Sequence, residues 1–369
     1  MTLLRSLLMA LAAGSLVGAV AAAPPAPAPR ARRVLAPTGF PGWQTHNVTS
    51  PVVVRDAARG VWRMYYTGSA TDQISDSAWD LWVTGVATSR DLTRWSRPDD
   101  YEPVLIGARF LEGDVVDART TGPLRFDGIV AAATSVLRDG TRWRAWYTGW
   151  NGDERPLGGG RVERVHLRIG EAASPDGLRW MKRDGPGAGG SVLDLGGAGA
   201  IDGVSAAHPA VLEIGGVYHL WYEAYDGRVW RIAHAESRDG TVWAKTGAAI
   251  EPGAADALDG LGARHPAVRP VAEGYELWYQ GRSQAAPAFH VLRARSGDGR
   301  GWTKVAGEVA LHPDPPPSGD ERIHAGSVIA RPDGTLLVFF AKATAVSRDG
   351  PWGPVKERST AIYSEAVRP

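Results

Sequence analysis

The apolar positions of this chain come in short runs rich in Val, Tyr, Trp and Leu. Gly, Asp and Pro break the runs and none keeps a helical period, so the pattern predicts β-strands joined by turns. The runs recur as a unit. One motif reads "SRDLTRW" (Ser89–Trp95), "SPDGLRW" (Ser174–Trp180), "SRDGTVW" (Ser237–Trp243), "SGDGRGW" (Ser296–Trp302) and a shortened "SRDGPW" (Ser347–Trp352). A second precedes each copy: "MYYTG" at Met64, "AWYTG" at Ala145, "LWYEA" at Leu220, "LWYQG" at Leu277 and "VFFAK" at Val338. A third opens each unit: "TSPVVV" at Thr49, "AATSVL" at Ala132, "AHPAVL" at Ala207, "RHPAVR" at Arg264 and "HAGSVI" at His324.

Five matches in one order predict an all-β chain. Each unit holds about four antiparallel strands in roughly 50–85 residues, the size of a propeller blade, so the expected fold is a five-bladed β-propeller. A β-sandwich with insertions leaves the fivefold repeat unexplained. In a propeller the 15 Trp are mostly blade packing. "S-x-D-G-x-x-W" belongs in the turn between strands 3 and 4, where Ser and Asp bind nearby backbone N–H groups, Gly accepts positive φ and Trp wedges into neighbouring packing. The opening motifs then lie at the mouth of a central channel on the other face, where a binding site is expected.

Five units carrying "WYTG" and "S-x-D-G/L-x-x-W" resemble the glycoside hydrolase superfamily of arabinanases and xylosidases (family 43) and invertases and levanases (family 32), over almost the whole mature chain. The resemblance implies hydrolysis by two carboxylates, one as base or nucleophile and one as acid, with a third tuning the pair. It places the base before Pro at the head of blade 1, the tuning residue before Pro at the head of blade 3, and the acid two residues before Pro at the head of blade 4. Here those positions hold Ser50, His208 and Arg264. Ser and Arg do not replace a carboxylate in proton transfer at neutral pH, whereas His exchanges a proton there. Two functions stay open: a hydrolase with a rearranged site, and a glycan-binding or scaffold propeller without turnover.

Carboxylates that do not repeat are the better catalytic candidates. "LEGDVVDART" supplies Glu112, Asp114 and Asp117 before blade 2; Glu223 ends strand 2 of blade 3, where blades 1 and 2 carry Thr67 and Thr148; Asp320 and Glu321 precede blade 5. The catalytic set expected for a rearranged hydrolase is Asp117, Glu223 and His208. Repeating Asp127, Asp202 and Asp259, each in an Asp-Gly six residues before the channel position, suit a turn role, although their face keeps function open for Asp202. His208 and His265 are equivalent positions in adjacent blades, and His324 lies one residue earlier in blade 5. They either satisfy backbone groups at the channel wall, form a polar ring for sugar hydroxyls or an anion with Arg264, or ligate a metal. His46, Ser50, Asp114 and Trp150 complete the expected substrate-binding set, Trp150 and Trp79 as platforms for sugar rings or as loop packing. No cofactor is required; the resemblance implies a channel Ca2+ beside His324, as in some members.

Composition narrows the setting. "MTLLRSLLMALAAGSLVGAVAAAPPAPAP" has one Arg, an apolar run and small residues, with Ala19-Val20-Ala21 as a cleavage site, so residues 1–23 read as a signal peptide rather than a retained anchor. Residues 24–38 read as a Pro-rich linker and 39–369 as the propeller. Lys and Arg number 41 and Asp and Glu 40, and loss of Arg5 with the leader brings them level. That balance argues against nucleic acid or a membrane surface as partner. With no cysteine, thiol catalysis, Zn-thiolate sites and disulfides are excluded. The expectation is an exported monomer whose partner is an oligo- or polysaccharide.

Overall fold

The computed structural model describes residues 31–38, 42–70, 82–98, 102–107, 125–158, 161–284, 289–306, 309–311, 322–350 and 353–368. Among them the chain is all-β, with one three-residue 3-10 turn at Ala188–Gly190 and no α-helix. The signal segment lies outside the described residues, as do Glu112, Asp114, Asp117, Asp320, Glu321 and Trp79.

After β1 (Arg32–Leu35), the first unit holds β2 (Asn47–Asp56), β3 (Val61–Ser69) and β4 (Val83–Ser89). The second holds β5 (Val130–Asp139), β6 (Arg142–Trp150), a side hairpin of β7 (Glu154–Gly158) and β8 (Arg161–Arg164), then β9 (Arg168–Ser174) and β10 (Met181–Arg183). The third is β11 (Ser205–Ile214), β12 (Val217–Tyr225), β13 (Trp230–Ser237) and β14 (Ala244–Ile250); the fourth is β15 (Ala263–Val271), β16 (Gly274–Arg282), β17 (Phe289–Ser296) and β18 (Thr303–Lys304). The fifth is β19 (Ile323–Ala330), β20 (Leu336–Gly350) and β21 (Gly353–Val367). Each unit is an antiparallel meander, and units three and four are separate four-stranded sheets. Units five, one and two are joined by single parallel pairs, Asn47 with Thr360 and Val83 with Ala131.

Two details differ from the sequence reading. Arg32–Leu35, expected in the linker, pairs antiparallel with β21 and supplies the outermost strand of the fifth unit. A strand edge exposes a row of unpaired backbone groups, and this segment covers one. The fifth "SRDG" also departs from the pattern: Ser347–Gly350 ends β20 and enters its hairpin with β21, rather than a turn between third and fourth strands. The other four copies do form that turn. Ser89, Ser174, Ser237 and Ser296 each accept two backbone N–H bonds from residues two and three further on, and the motif Asp caps the next two N–H groups. Gly177, Gly240 and Gly299 take φ of 74°, 73° and 78° there, which an L side chain resists.

In units one to four the turn Trp packs edge-on against the strand-two aromatic of the unit before it, the fifth standing before the first. Trp180 meets Tyr65 at 5.8 Å and 81°, Trp243 meets Trp146 at 6.3 Å and 80°, and Trp302 meets Trp221 at 5.8 Å and 86°. Trp95 of the first unit meets Phe339 of the fifth at 5.7 Å and 89°. The same aromatics donate to the turn carbonyls, Tyr65 to Gly177 at 2.9 Å, Trp146 to Gly240 at 2.9 Å and Trp221 to Gly299 at 3.1 Å. The opening strands β2, β5, β11, β15 and β19 each contact the next, and β19 contacts β2. They line a cavity of about 150 Å³. Hydroxyls stitch this wall: Ser135 accepts Val211 N–H, Ser327 accepts Val53 N–H, and Thr134 donates to the Pro209 carbonyl.

Trp221 is fully buried. Trp221→Ala removes its ring contact and its hydrogen bond to Gly299, and is expected to lower unfolding free energy by about 3–5 kcal/mol in urea titrations. Val242→Ala, at an exposed site of the same turn family, is expected to leave the midpoint within error.

Candidate functional site

Each opening strand breaks register near its head, with shifts at Thr49/Val52, Ala133/Ser135, Ala207/Ala210, Arg264/Ala267 and Ala325/Ser327. At three of these bulges the residue before Pro is left-handed: Ser50 at φ 50°, His208 at 48° and His265 at 50°. None is glycine, and a residue preceding Pro is restricted further, so each position stores strain on the order of 1 kcal/mol. Neighbouring units hold two of them in place. Thr148 Oγ1 accepts His208 N–H at 2.8 Å, and Glu223 Oε2 accepts His265 N–H at 3.2 Å.

The kinks gather side chains from four units. His208 and His265 rings lie 4.0 Å apart, and His265 stacks on His324 at 4.1 Å and 12°. His324 Nε2 lies 3.2 Å from Thr49 Oγ1 and 3.4 Å from Ser50 Oγ. Glu223, at the end of β12, is buried beneath them. Arg264 donates to its Oε1 twice, from Nε at 2.9 Å and Nη2 at 2.6 Å, while its guanidinium rests 4.1 Å over Trp230, itself stacked on Tyr225. His208 Nδ1 is 3.4 Å from Glu223 Oε2 but out of line for a hydrogen bond, and that buried nitrogen has no hydrogen-bond partner.

Burial opposes charge on Glu223, but Arg264, with His208 and His265 behind it, holds the carboxyl well below its ordinary range. Burial also dominates the two inner histidines. It and the neighbouring imidazoles push His265 well below 6.5 and His324 down to about 3. At neutral pH Glu223 is therefore an anion and His265 and His324 are neutral. Glu223 can orient, attract a proton or stabilise positive charge; it has no proton to give. Among the described residues no second carboxylate lies within 4 Å of these histidines.

His208, Glu223 and His265 have ligand atoms within 4.8 Å of one another. The set does not fit the Ca2+ that the resemblance implies. Ca2+ takes six to eight oxygens, whereas the donors here are mainly nitrogen, and Arg264 already neutralises the one carboxylate.

Ser50, His208, His265, Arg264, His324 and Glu223 thus meet in one cluster. Asp202 and Trp150, expected to bind substrate, do not. Asp202 is buried with Tyr222 Oη at 2.8 Å and Lys245 Nζ at 2.6 Å. Asp127 and Asp259 repeat the arrangement with Tyr147 and Lys182, and with Tyr279 and Lys304. The repeated Asp is a clamp tying the opening turn to strands two and four. Trp150 is buried under Arg164 with its Nε1 on the Asp153 carbonyl, so its ring offers no open face. His46 is buried as well, with its carbonyl accepting from Ser359. Thr49, Thr148 and Trp230 escaped the sequence reading; Thr148 and Glu223 share one repeat position, and that is the signal that marks both as bridges to the next unit.

No protein-family model matches the sequence. Two uncharacterized proteins of Mycobacterium tuberculosis, MT1551 and Rv1502, are each 35% identical over 112 residues. The match covers 30% of this chain and spans 33% of the length of either relative. Solved structures match almost end to end. The structure of a BT0996 RGII complex superposes with a TM-score of 0.64 at 17% identity, covering 93% of either protein. A thermostable family-43 glycoside hydrolase gives 0.57 at 17% identity over 89% of this chain and 96% of its own. A structure from the GH130 family of mannoside phosphorylases gives 0.57 at 14% identity over 92% and 95%. The chain has the fold of these glycoside-hydrolase proteins.

The neutral inner histidines have a consequence for stability. His324 is near 3 when folded and about 6.5 when unfolded. The unfolded state binds the extra proton across that window, so stability is full above about pH 6.5 and falls by roughly 1.4 kcal/mol per pH unit per histidine as pH drops. Urea midpoints measured from pH 7 to 4.5 should fall in the wild type and fall less steeply in His324→Gln; equal slopes would contradict the burial argument.

Proposed function

We propose that the five units are blades of a five-bladed β-propeller, and that the protein is carbohydrate-active and holds a glycan at the channel mouth formed by Ser50, His208, His265 and His324. The aromatic contacts between units and the ring of opening strands support the propeller. The observation that carries the site is the backbone strain: three non-glycine residues held left-handed before Pro, at equivalent positions, all aimed at one cluster. Folding alone gives no reason to keep such strain, and it concentrates where side chains must be aimed. His208, whose side chain keeps 25% of its surface exposed, is the ring of the cluster that a sugar hydroxyl would reach.

Hydrolysis is the second reading, favoured by the ionised state of Glu223 and its contact with His208. Glu223 would stabilise charge or hold His208 as the proton carrier, and Asp117 would supply the second carboxylate. The leader-like residues 1–23 support export, and the level charge supports a partner that is neither nucleic acid nor membrane. A monomer suffices for this site.

Mature protein incubated with pooled plant, microbial and algal glycans, followed by mass spectrometry of released sugars and of glycans retained in a pull-down, tests both readings. Retention without release is expected, with His208→Ala lowering retention about tenfold, the weight of one or two lost hydrogen bonds. Release that disappears in Glu223→Gln and Asp117→Asn would establish the hydrolase; neither release nor retention would overturn both.

A further inference from the structure

We propose that His219, His234 and Glu236 form a Zn2+ site on the face that the third unit turns toward the fourth. In the β12–β13 pair His219 stands opposite Glu236, and Trp221 opposite His234. Residues two apart on a strand share a face, so these four side chains make one patch. Trp221 carries Trp302 and Gly299 of the fourth unit, and Glu236 accepts from Arg300 Nε at 2.5 Å, which fixes the direction the patch faces. Both histidines are buried against the Trp221 indole, at 5.9 and 5.4 Å. His219 lies four residues along β12 from Glu223, roughly 13 Å at the rise of a strand, so this is not the mouth.

Thr246 decides the tautomer of His234. Its single hydroxyl proton goes to the His234 carbonyl at 3.1 Å, so its oxygen accepts from His234 Nδ1–H at 2.6 Å. The lone pair of His234 is therefore on Nε2, 3.0 Å from His219 Nδ1. One ring N–H on a fixed acceptor is how metal-binding histidines are held, and it leaves the Nε2 lone pair as the ligand. Glu236 Oε1 is 3.8 Å from His219 Nδ1, and the three ligand atoms lie within 4.8 Å of one another.

Two nitrogens on a tetrahedral Zn2+ at about 2.0–2.1 Å stand about 3.3 Å apart, so the two histidines need a shift of a few tenths of an ångström, while Glu236 Oε1 must move closer and leave Arg300. Without the ion, His219 Nδ1–H donates to His234 Nε2; binding moves that proton to His219 Nε2 and leaves both imidazoles neutral. Two imidazoles and one carboxylate suit Zn2+ better than the oxygen-seeking Ca2+ or Mg2+. Glu236 is the partly exposed edge of the patch, leaving the fourth position to water. Arg300 competes with the ion for Glu236.

Chelator-treated, untagged protein in equilibrium dialysis against Zn2+, with Co2+ absorbance as a check on tetrahedral geometry, tests the site. One ion per chain is expected. Glu236→Gln should weaken binding about tenfold or more and His234→Gln should abolish it, as loss of a ligand does. Arg300→Gln should tighten binding about threefold or more, because a competing charge goes. Glu236 and Arg300 sit at the rim, so their variants fold even where a buried-histidine variant does not. No bound ion at about 100 μM free Zn2+ would overturn the proposal. So would unchanged affinity in both rim variants, or binding lost in His208→Gln and kept in His234→Gln, which would move the ion to the mouth.

Discussion

The structure depends on one contact made repeatedly: the turn Trp of a unit set edge-on against the strand-two aromatic of the unit before it. A four-stranded meander has two faces and cannot bury both alone. Here the face that carries Tyr65, Trp146, Trp221 or Phe339 is closed by a Trp from a neighbour. Edge-to-face geometry suits the ring quadrupoles. Hydrogen bonds from Tyr65, Trp146 and Trp221 to the turn carbonyls then fix the turns against their neighbours. The Trp95–Phe339 contact joins the first unit to the fifth. β1, bound to β21, adds a chain crossing between the N-terminal end and the fifth unit.

Contacts between the opening strands account for the placement of the polar cluster. The opening strands line a narrow cavity, and each breaks register with its own strand two at its head. The bulge turns the residue before Pro toward the common centre. Thr148 and Glu223 occupy the same place in strand two and catch the backbone N–H of the next unit's kink. The geometry of the site is thus a product of contacts between units, and no single unit contains it.

Repeat motifs made the all-β class and the unit boundaries legible in the sequence, because turn chemistry and strand-two aromatics carry local physical meaning. The gathering of His208, His265 and His324 followed from their alignment at strand heads. Pairing across units was harder to see. Glu223 and Arg264 are distant in sequence and meet only when two units abut. Asp202 looked usable for substrate because its face was right, but the pattern Asp–Tyr–Lys across three units assigns it to the scaffold. "SRDGPW" shows the opposite error: the letters match a turn that Ser347–Gly350 does not make, since a hairpin without an intervening third strand needs similar residues.

The Glu223–Arg264 pair limits the chemistry available at the histidine cluster. The position where the resemblance implies an acid holds Arg264, and the nearest carboxylate comes from the neighbouring unit. An acid catalyst must keep its proton near neutral pH, which takes burial without a cation. Glu223 has burial with a cation, donated twice to one oxygen, and so is fixed as an anion. A single substitution at Arg264 would leave Glu223 buried and unpaired rather than restore an acid. Proton donation to a leaving group would fall to His208, because His265 and His324 are held neutral by burial and turned into the stack. Among the described residues, then, the cluster offers one neutralised carboxylate, a stacked His265–His324 pair and the His208 ring, and the proposed recognition of hydroxyls asks for no more than these.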